Sequence, residues 1–484
     1  MITRDEGLKI GFFPKRTYQY PSSLSIYDGL FRCSYPLRFD TYKQCYVGCH
    51  YCFANLGRMC ILESKELKDD LGIKEIAKLN NILYEVLYEG ILEGKEEIVR
   101  TMLSRKIPIL FGTITEIFQP KEKWQGITYE ALKVFLHYKY PLNISTKCGI
   151  LADKEYRKKY LDLFDKFDRD KFLFRISLIG LDNDKIKTIE PNAPSVENRL
   201  EILKEVNEMG IETIVRIQPF IFGISDVDIE RFFESIKKAG TNTITIEGFK
   251  LNNNLLKYCD KKFAEYVKKD CIFLNGFYVY DALRLKEAFD KIDELAKKYE
   301  IEVGYADSYF LYRNVNNVNC CGNKTKIVKS EWTVDGFSWY MEAVREAEKI
   351  KDYYVLTFND VLKHIPSWID RSFSLSDYHS LFYKKGILLS KGKQKKEVYY
   401  KFKDFVQKNY NDIGQYHSFS SDLRVCLPIK NGKPIKDKFG NYIYLVDWKD
   451  SFKNYDLIKY DLIKVEFDSL SERVKKTIAQ HCVV

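Results

Sequence analysis

The sequence predicts an α/β protein: a partial or full (β/α) barrel of parallel strands over residues 1–324, followed by a separate α+β domain over residues 325–484. Three observations predict it. From residue 107 onward, short apolar runs alternate with amphipathic helical stretches, the pattern of parallel β/α units. This rhythm stops near residue 325, where hairpin-like pieces with turn signals take over. A chain of 484 residues is also too long for one ordinary domain.

Residues 1–44 form an irregular lead-in with Pro14, Pro21 and Pro36, and 36–43 (PLRFDTYK) read as a first strand. Residues 73–105 read as one helix, because Ile76, Leu79, Ile82, Leu83, Val86 and Leu87 recur at three- and four-residue steps. Strands are expected at 107–113, 142–146, 172–178, 213–218, 243–247 and 301–305, and helices at 128–138, 154–167, 195–209 and 226–239. Gly210 follows the third of these helices as a C-cap signal, and Ser195 begins it. In such barrels the chemistry sits at the C-terminal ends of the strands. In the last domain, residues 429–444 (IKNGKPIKDKFGNYIY) carry two turn signals, Asn431-Gly432 and Gly440-Asn441.

Hydrophobic residues make up 45% and charged residues 30%, a globular composition, and the high aromatic content (35 Tyr, 32 Phe) reads mainly as core. The N-terminus lacks an apolar signal region, and no stretch of about 18 uncharged apolar residues appears, so a cytoplasmic protein with no membrane span is expected. In that setting twelve cysteines point to metal binding, catalysis or burial rather than to disulfides. The net charge of +10 is concentrated: residues 381–484 hold 21 Lys and Arg against 12 Asp and Glu. Such a basic region suits a polyanion, and a Lys-rich solvated surface is the plain alternative.

The strongest chemical signal is Cys45-Tyr46-Val47-Gly48-Cys49-His50-Tyr51-Cys52, three cysteines at steps of four and three. Thiolates are soft ligands for iron–sulfur clusters and zinc. Gly48 removes a side chain where the loop must fold tightly. Three local cysteines leave one iron of a cubane without a protein thiolate, so that corner is open to a ligand. A zinc site using His50 or a distant fourth ligand, or plain burial, stays open on spacing alone.

CxxxCxxC with an aromatic residue, Tyr51, before the last cysteine resembles the signature of the radical S-adenosylmethionine (SAM) superfamily. Further segments are similar to its spore photoproduct lyase-like (DNA repair photolyase-like) branch: 112–120 (GTITEIFQP), 144–147 (ISTK), 174–178 (FRISL), 190–195 (EPNAPS) followed by Arg199-Leu200, and 216–226 (RIQPFIFGISD), where Phe222 replaces a proline of the branch. The resemblance covers about half the chain. It implies a [4Fe–4S] cluster on Cys45, Cys49 and Cys52, with SAM on the open iron. It implies that Tyr51 lies against adenine, Thr115 and Glu116 near the SAM amino group or ribose, and Lys147 on the SAM carboxylate. It also places Ser177, Arg199 and Gln218 with the SAM-binding set. The plain alternatives are rim charges for Lys147 and Glu116, barrel packing for Ser177 and a solvated helix face for Arg199. An electron donor such as flavodoxin or ferredoxin is implied as a partner.

Spore photoproduct lyase carries a hydrogen-donating cysteine on its second strand. The matching stretch here, Gly112-Thr113, has no thiol. Cys148, at the end of a strand, is the nearest substitute, with a buried small hydrophobe as its bland reading. Cys320-Cys321-Gly322 is the other candidate: Cys321 as a redox thiol over the barrel mouth, or the pair as ligands of a second Fe–S cluster with Cys33, Cys60, Cys259, Cys271 or Cys426. The expected activity is a radical SAM enzyme, lyase- or transferase-type, acting on a nucleic acid or nucleotide in lesion repair or base modification. Lys391, Lys393, Lys395 and Lys396, followed by Tyr399, Tyr400 and Phe402, are candidates to hold phosphates and stack bases of DNA or RNA. The alternatives are a peptide or small-molecule substrate, with an auxiliary cluster, and a non-enzymatic metal-binding interaction module.

Overall fold

The computed structural model of the chain describes residues 24–26, 35–42, 45–52, 73–93, 97–257, 259–274, 276–314, 318, 320–322, 331–332, 339–350, 354–369, 407, 410–411, 424–446 and 463–482. Its centre is an eight-stranded sheet. Seven strands run parallel in the order β2 (Leu37–Phe39), β3 (Ile109–Phe111), β4 (Leu142–Thr146), β5 (Phe172–Ser177), β6 (Glu212–Phe220), β7 (Thr243–Gly248) and β11 (Glu302–Tyr305). β1 (Leu24–Ile26) adds one antiparallel edge beside β2. The order is that of the chain, each crossover being made by helix, as parallel pairing requires. Among the described residues β11 pairs only with β7, so the sheet is an open, partial barrel.

The strand sequences explain their burial on both faces. One phase of β3 to β7, including Phe111, Ile144, Phe174, Val215 and Ile246, packs into the main core with the surrounding helices. The other phase holds Leu110, Leu173 and Ile214, which with Tyr35 form a separate small cluster on the inner face. Between these, the inner phase is polar: Asn143, Ser145, Arg175, Arg216 and Thr245. An enclosed inner face with polar residues toward its C-terminal rim is what a barrel-mouth site needs.

The helices at Ile127–His137, Lys154–Phe164, Val196–Glu208 and Ile229–Lys238 lie where periodicity placed them. Ser195 caps the third by accepting from the Asn198 amide at 3.3 Å, and Gly210 ends it with φ of 75°. Residues 73–105 differ from expectation. They form two helices, Ile73–Leu87 and Glu97–Ser104, folded back on each other. Gly90 takes φ of 68° between them, and the buried Arg100–Glu85 ion pair at 2.9 Å, with Arg100 also donating to the Ile91 carbonyl, ties the second helix to the first. A small antiparallel sheet of β8 (Lys250–Asn252), β9 (Ile272–Leu274) and β10 (Phe277–Val279), and the Ala282–Tyr299 helix, have no counterpart in the sequence reading.

The C-terminal region is α+β. β12 (Tyr354–Leu356), β15 (Tyr444–Val446), β13 (Val425–Lys430) and β14 (Lys433–Pro434) are antiparallel neighbours, with β16 (Ile463–Glu466) parallel to β13. The Asn431-Gly432 turn joins β13 to β14 with both residues at positive φ, 52° and 72°. The Glu472–His481 helix covers a small core that contains Cys426, Leu445 and Ile478. The expected boundary at residue 324, the basic stretch from Lys391 to Phe402, Cys33 and Cys60 lie outside the described residues. Among the described residues no helix is long and apolar enough to cross a membrane.

Candidate functional site

Nine of the residues singled out in the sequence line one pocket at the C-terminal rim of the barrel. They are Cys45, Cys49, Cys52, Tyr51, Thr115, Glu116, Lys147, Ser177 and Gln218. Strand phase explains the convergence. Lys147 follows β4, Ser177 ends β5 and Gln218 lies in β6, all in the inner phase. The cysteine loop follows β2 and lies across their ends.

The loop is docked by its backbone. Gly48 has φ of 69°, which a side chain would resist, and the Cys52 amide donates to the Cys49 carbonyl at 3.2 Å. The His50 amide donates to the Ile189 carbonyl at 3.0 Å, and the Asn192 side-chain amide donates to the Tyr46 carbonyl at 3.0 Å. On the other side Gln119 accepts from the Tyr46 amide at 3.2 Å, and the Cys45 sulfur accepts from the Glu116 amide at 3.4 Å. Segments 112–120 and 190–195 therefore form the two walls that hold the loop.

None of the three thiols is in a disulfide. Burial pushes the Cys45 and Cys49 thiols up, and the nearby thiolates of the triplet push each further. Three soft donors that repel one another when ionised suit a bound cation or cluster. Among the described residues, no group of three His, Cys, Asp or Glu side chains is already gathered tightly enough to ligate a metal. The donor chemistry fits an iron–sulfur cluster; the side chains are not closed around one. His50, the nitrogen ligand of the zinc alternative, is not among the pocket-lining residues, and its ring packs 5.9 Å from Phe263.

Glu190, which sequence reasoning did not select, organises the pocket's charge. Its carboxylate is fully buried. Lys147 Nζ donates to Oε1 at 2.8 Å, Arg199 Nη2 donates to Oε2 at 2.8 Å, and the Tyr51 hydroxyl donates to Oε1. Lys147 also donates to the Tyr51 oxygen at 2.9 Å. Burial alone would raise the Glu190 carboxyl, but Lys147 and Arg199 outweigh it and hold it at about 2. The same carboxylate pushes the Tyr51 hydroxyl up, after burial. Lys147 thus meets a protein carboxylate within the pocket wall. Arg199 lies behind that wall, neither lining the pocket nor solvated, and it also donates to the Ser177 carbonyl at 3.0 Å.

Asp40 is the second unselected residue. It accepts from Thr113 Oγ1 at 2.6 Å, from the Ile114 and Thr115 amides, and from Thr115 Oγ1 at 2.9 Å. Glu116 accepts from Thr146 Oγ1 at 2.5 Å and from the Lys147 amide at 2.6 Å. Burial raises both carboxyls despite these bonds. Gln218 accepts from Arg216 Nε, and Arg216 also reaches Ser145 Oγ at 3.3 Å. Glu190 stood inside a quoted motif, and its signal was a carboxylate nine residues before Arg199. Asp40 gave none beyond its place within the expected first strand at 36–43.

Two cysteines are placed differently from expectation. Cys148 does not line the pocket; it is fully buried in the main core, with φ of 74°, and burial, then Glu116, pushes its thiol far up. The backbone leaves the strand there and turns the side chain away from the mouth. Cys321 lies below the mouth, against the inner cluster of Leu110, Leu173 and Ile214, rather than over it. As for a second cluster, Cys426 is buried in the C-terminal core, and among the described residues no cysteine group able to ligate metal is assembled.

Fold and site together define an open α/β barrel with a thiol-rich pocket at its C-terminal rim. No protein-family model matches the chain. An uncharacterized protein of Methanocaldococcus jannaschii is 25% identical over 268 residues, spanning 54% of this chain and 87% of that one. Similar solved structures include spore photoproduct lyase complexed with dinucleoside spore photoproduct (15% identity, 59% of this chain and 81% of that chain, TM-score 0.43). They also include Streptococcus suis SuiB bound to S-adenosylmethionine (13% identity, 56% and 50%, TM-score 0.36) and TYW1 with a lysine-pyruvate adduct bound (17% identity, 51% and 79%, TM-score 0.29).

Proposed function

We propose that this chain is a radical SAM enzyme, with Cys45, Cys49 and Cys52 holding a [4Fe–4S] cluster and SAM occupying the pocket beside it. The observation that carries the reading is the convergence of the three cysteines with Tyr51, Glu116, Lys147, Ser177 and Gln218, far apart in sequence, on one pocket. When held by Cys45, Cys49 and Cys52, the cluster would supply the electron, and SAM beside it the hydrogen-abstracting radical chemistry. The protein's part is to hold and shield. Lys147, poised on Glu190, is the cation available to the SAM carboxylate. Tyr51 offers a ring face beside it, and Glu116, fixed by Thr146 and the Lys147 amide, offers a carboxyl to the SAM amino group. Gln218 and Ser177 bound the inner side.

The substrate class is a nucleic acid or nucleotide, supported by the motif resemblance to the spore photoproduct lyase-like branch and by the basic charge of residues 381–484. A flavodoxin- or ferredoxin-like reductant completes the reaction.

The test begins with anaerobic reconstitution. About four irons per chain are expected, with a cluster signal in electron paramagnetic resonance on reduction. Cys45→Ala, Cys49→Ala and Cys52→Ala should each lose the iron. Reduction with SAM should release 5′-deoxyadenosine, at a rate raised by the substrate nucleotide. A bound zinc ion, or a fourth protein ligand on the iron, would end this reading. Eight irons per chain would favour the peptide or small-molecule alternative with an auxiliary cluster.

A further inference from the structure

Below the pocket the inner face of the barrel is cationic. Arg38 on β2, Arg175 on β5 and Arg216 on β6 share the inner phase. Arg38 is level with Leu110, Arg175 with Ser145 and Ile214, and Arg216 with Ser177 and Thr245. Residues 320–322 enter this space. A Cβ at Gly322 would lie 2.8 Å from Ile214 Cδ1 and 3.0 Å from Thr245 Cγ2, so the chain passes flush against the strands. Arg175 Nη1 makes a long contact, 3.5 Å, to the Cys321 carbonyl. A hydrogen bond from Cys320, and then the charges of Arg175, Arg216 and Arg38, bring the Cys321 thiol down to about 5.

The Cys321 thiol, so lowered, already supplies this group with one negative charge at neutral pH. Glu247, the carboxylate on this side of the pocket, is engaged by Lys250. Arg216 is bonded to neutral acceptors, Gln218 and Ser145. Burial, and then Arg175, lower it to about 10. Arg175 is only 2% exposed, and its Nε has no hydrogen-bond partner. A buried guanidinium is ordinarily answered by an anion, because an unpaired charge in this environment is costly. Arg216 lines the pocket, and so does Ser145, the strand neighbour of Arg175, so an anion entering from the mouth reaches Arg216, with Arg175 buried behind that lining.

We propose that Arg216, with the buried charge of Arg175 behind it, forms an anion subsite at the floor of the pocket that binds a phosphate of the substrate. The planar, forked guanidinium of Arg216 matches the oxygens of a phosphate ester. The proposal rests on the reading of the pocket as a nucleotide-processing site and gives that site its specificity element. Cys321 borders the floor, so a bound phosphate shields it.

The experiment is calorimetric titration of the reconstituted full-length protein with deoxycytidine 5′-monophosphate, deoxycytidine and a short Glu-rich peptide. The monophosphate should bind at least about tenfold more tightly than the nucleoside. Arg216→Gln should weaken the monophosphate about ten- to a hundredfold while leaving the weak nucleoside binding unchanged, Arg175→Gln should weaken it less, and Arg216→Lys should recover part of the loss. In the unsubstituted chain, the monophosphate should slow alkylation of Cys321 by iodoacetamide, read by mass spectrometry, so the proposal stays testable if Arg175→Gln does not fold. Equal binding of nucleoside and monophosphate, tighter binding of the acidic peptide, or unchanged binding in Arg216→Gln would overturn it. None of these readouts uses SAM. Loss of 5′-deoxyadenosine formation with phosphate discrimination intact counts against the radical SAM reading alone, and the reverse result counts against the subsite alone.

Discussion

With Lys147 on one oxygen and Arg199 on the other, Glu190 stays ionised at a depth where burial by itself would neutralise it. Its folded-state pKa lies near 2, below the ordinary value of 4.5, so its contribution is present above about pH 4.5 and is lost as the pH falls toward 2. That contribution is on the order of 3 kcal/mol. Glu190→Gln should therefore lower stability at neutral pH by a few kcal/mol and flatten the acid limb of a denaturation profile between about pH 4.5 and 2. An unchanged acid limb would mean that the carboxylate is not the anchor described here. Lys147→Ala, which leaves the same buried carboxylate to Arg199 and Tyr51, should also weaken SAM binding by about tenfold or more, measured by equilibrium dialysis.

Among the elements, the Val196–Glu208 helix bears most directly on the site, because it carries Arg199 to Glu190 and to the Ser177 carbonyl. Ser195→Ala should cost about 1 kcal/mol by removing its cap, seen as a lower denaturation midpoint with an unchanged slope. Gly432→Ala should cost a similar amount, since its φ of 72° suits glycine. The parallel strands from Leu142 to Gly248 and the helices at Lys154–Phe164, Val196–Glu208 and Ile229–Lys238 were legible in the sequence because each is a continuous apolar or amphipathic run with a clear stop. Residues 73–105 were not read correctly, because both helices keep the same apolar spacing across the break. What separates them is a reversal at Gly90 fixed by the Arg100–Glu85 pair, a contact that periodicity cannot register. Strands of three residues, such as Ile272–Leu274, fall below the length at which alternation is visible at all.

For the whole molecule, the prediction concerns charge. The excess of Lys and Arg in residues 381–484 should make binding to DNA or RNA fall linearly in log–log fashion with added salt. Fluorescence anisotropy between 50 and 200 mM salt, to order of magnitude the range in which counterion release is steep, reads this slope. Deleting the region should reduce it, and salt-independent binding would remove nucleic acid as the partner of this region. The floor proposed at Arg175 and Arg216 acts on one phosphate only and should change that slope by about one unit at most.

The sequence by itself determined the barrel's parallel β/α order and the cysteine triplet, because strand period and motif spacing are local properties, and the motif resemblance named nine of the residues that line the pocket. Only the tertiary structure decided which of those residues face each other. It placed Glu190 between Lys147 and Arg199, turned Cys148 into the core at a positive φ, and brought Cys321 from 146 residues away to the carbonyl contact with Arg175. The reason is physical: the partner of a buried charge is set by which strands become neighbours, and that is a property of the closed packing rather than of any segment of chain.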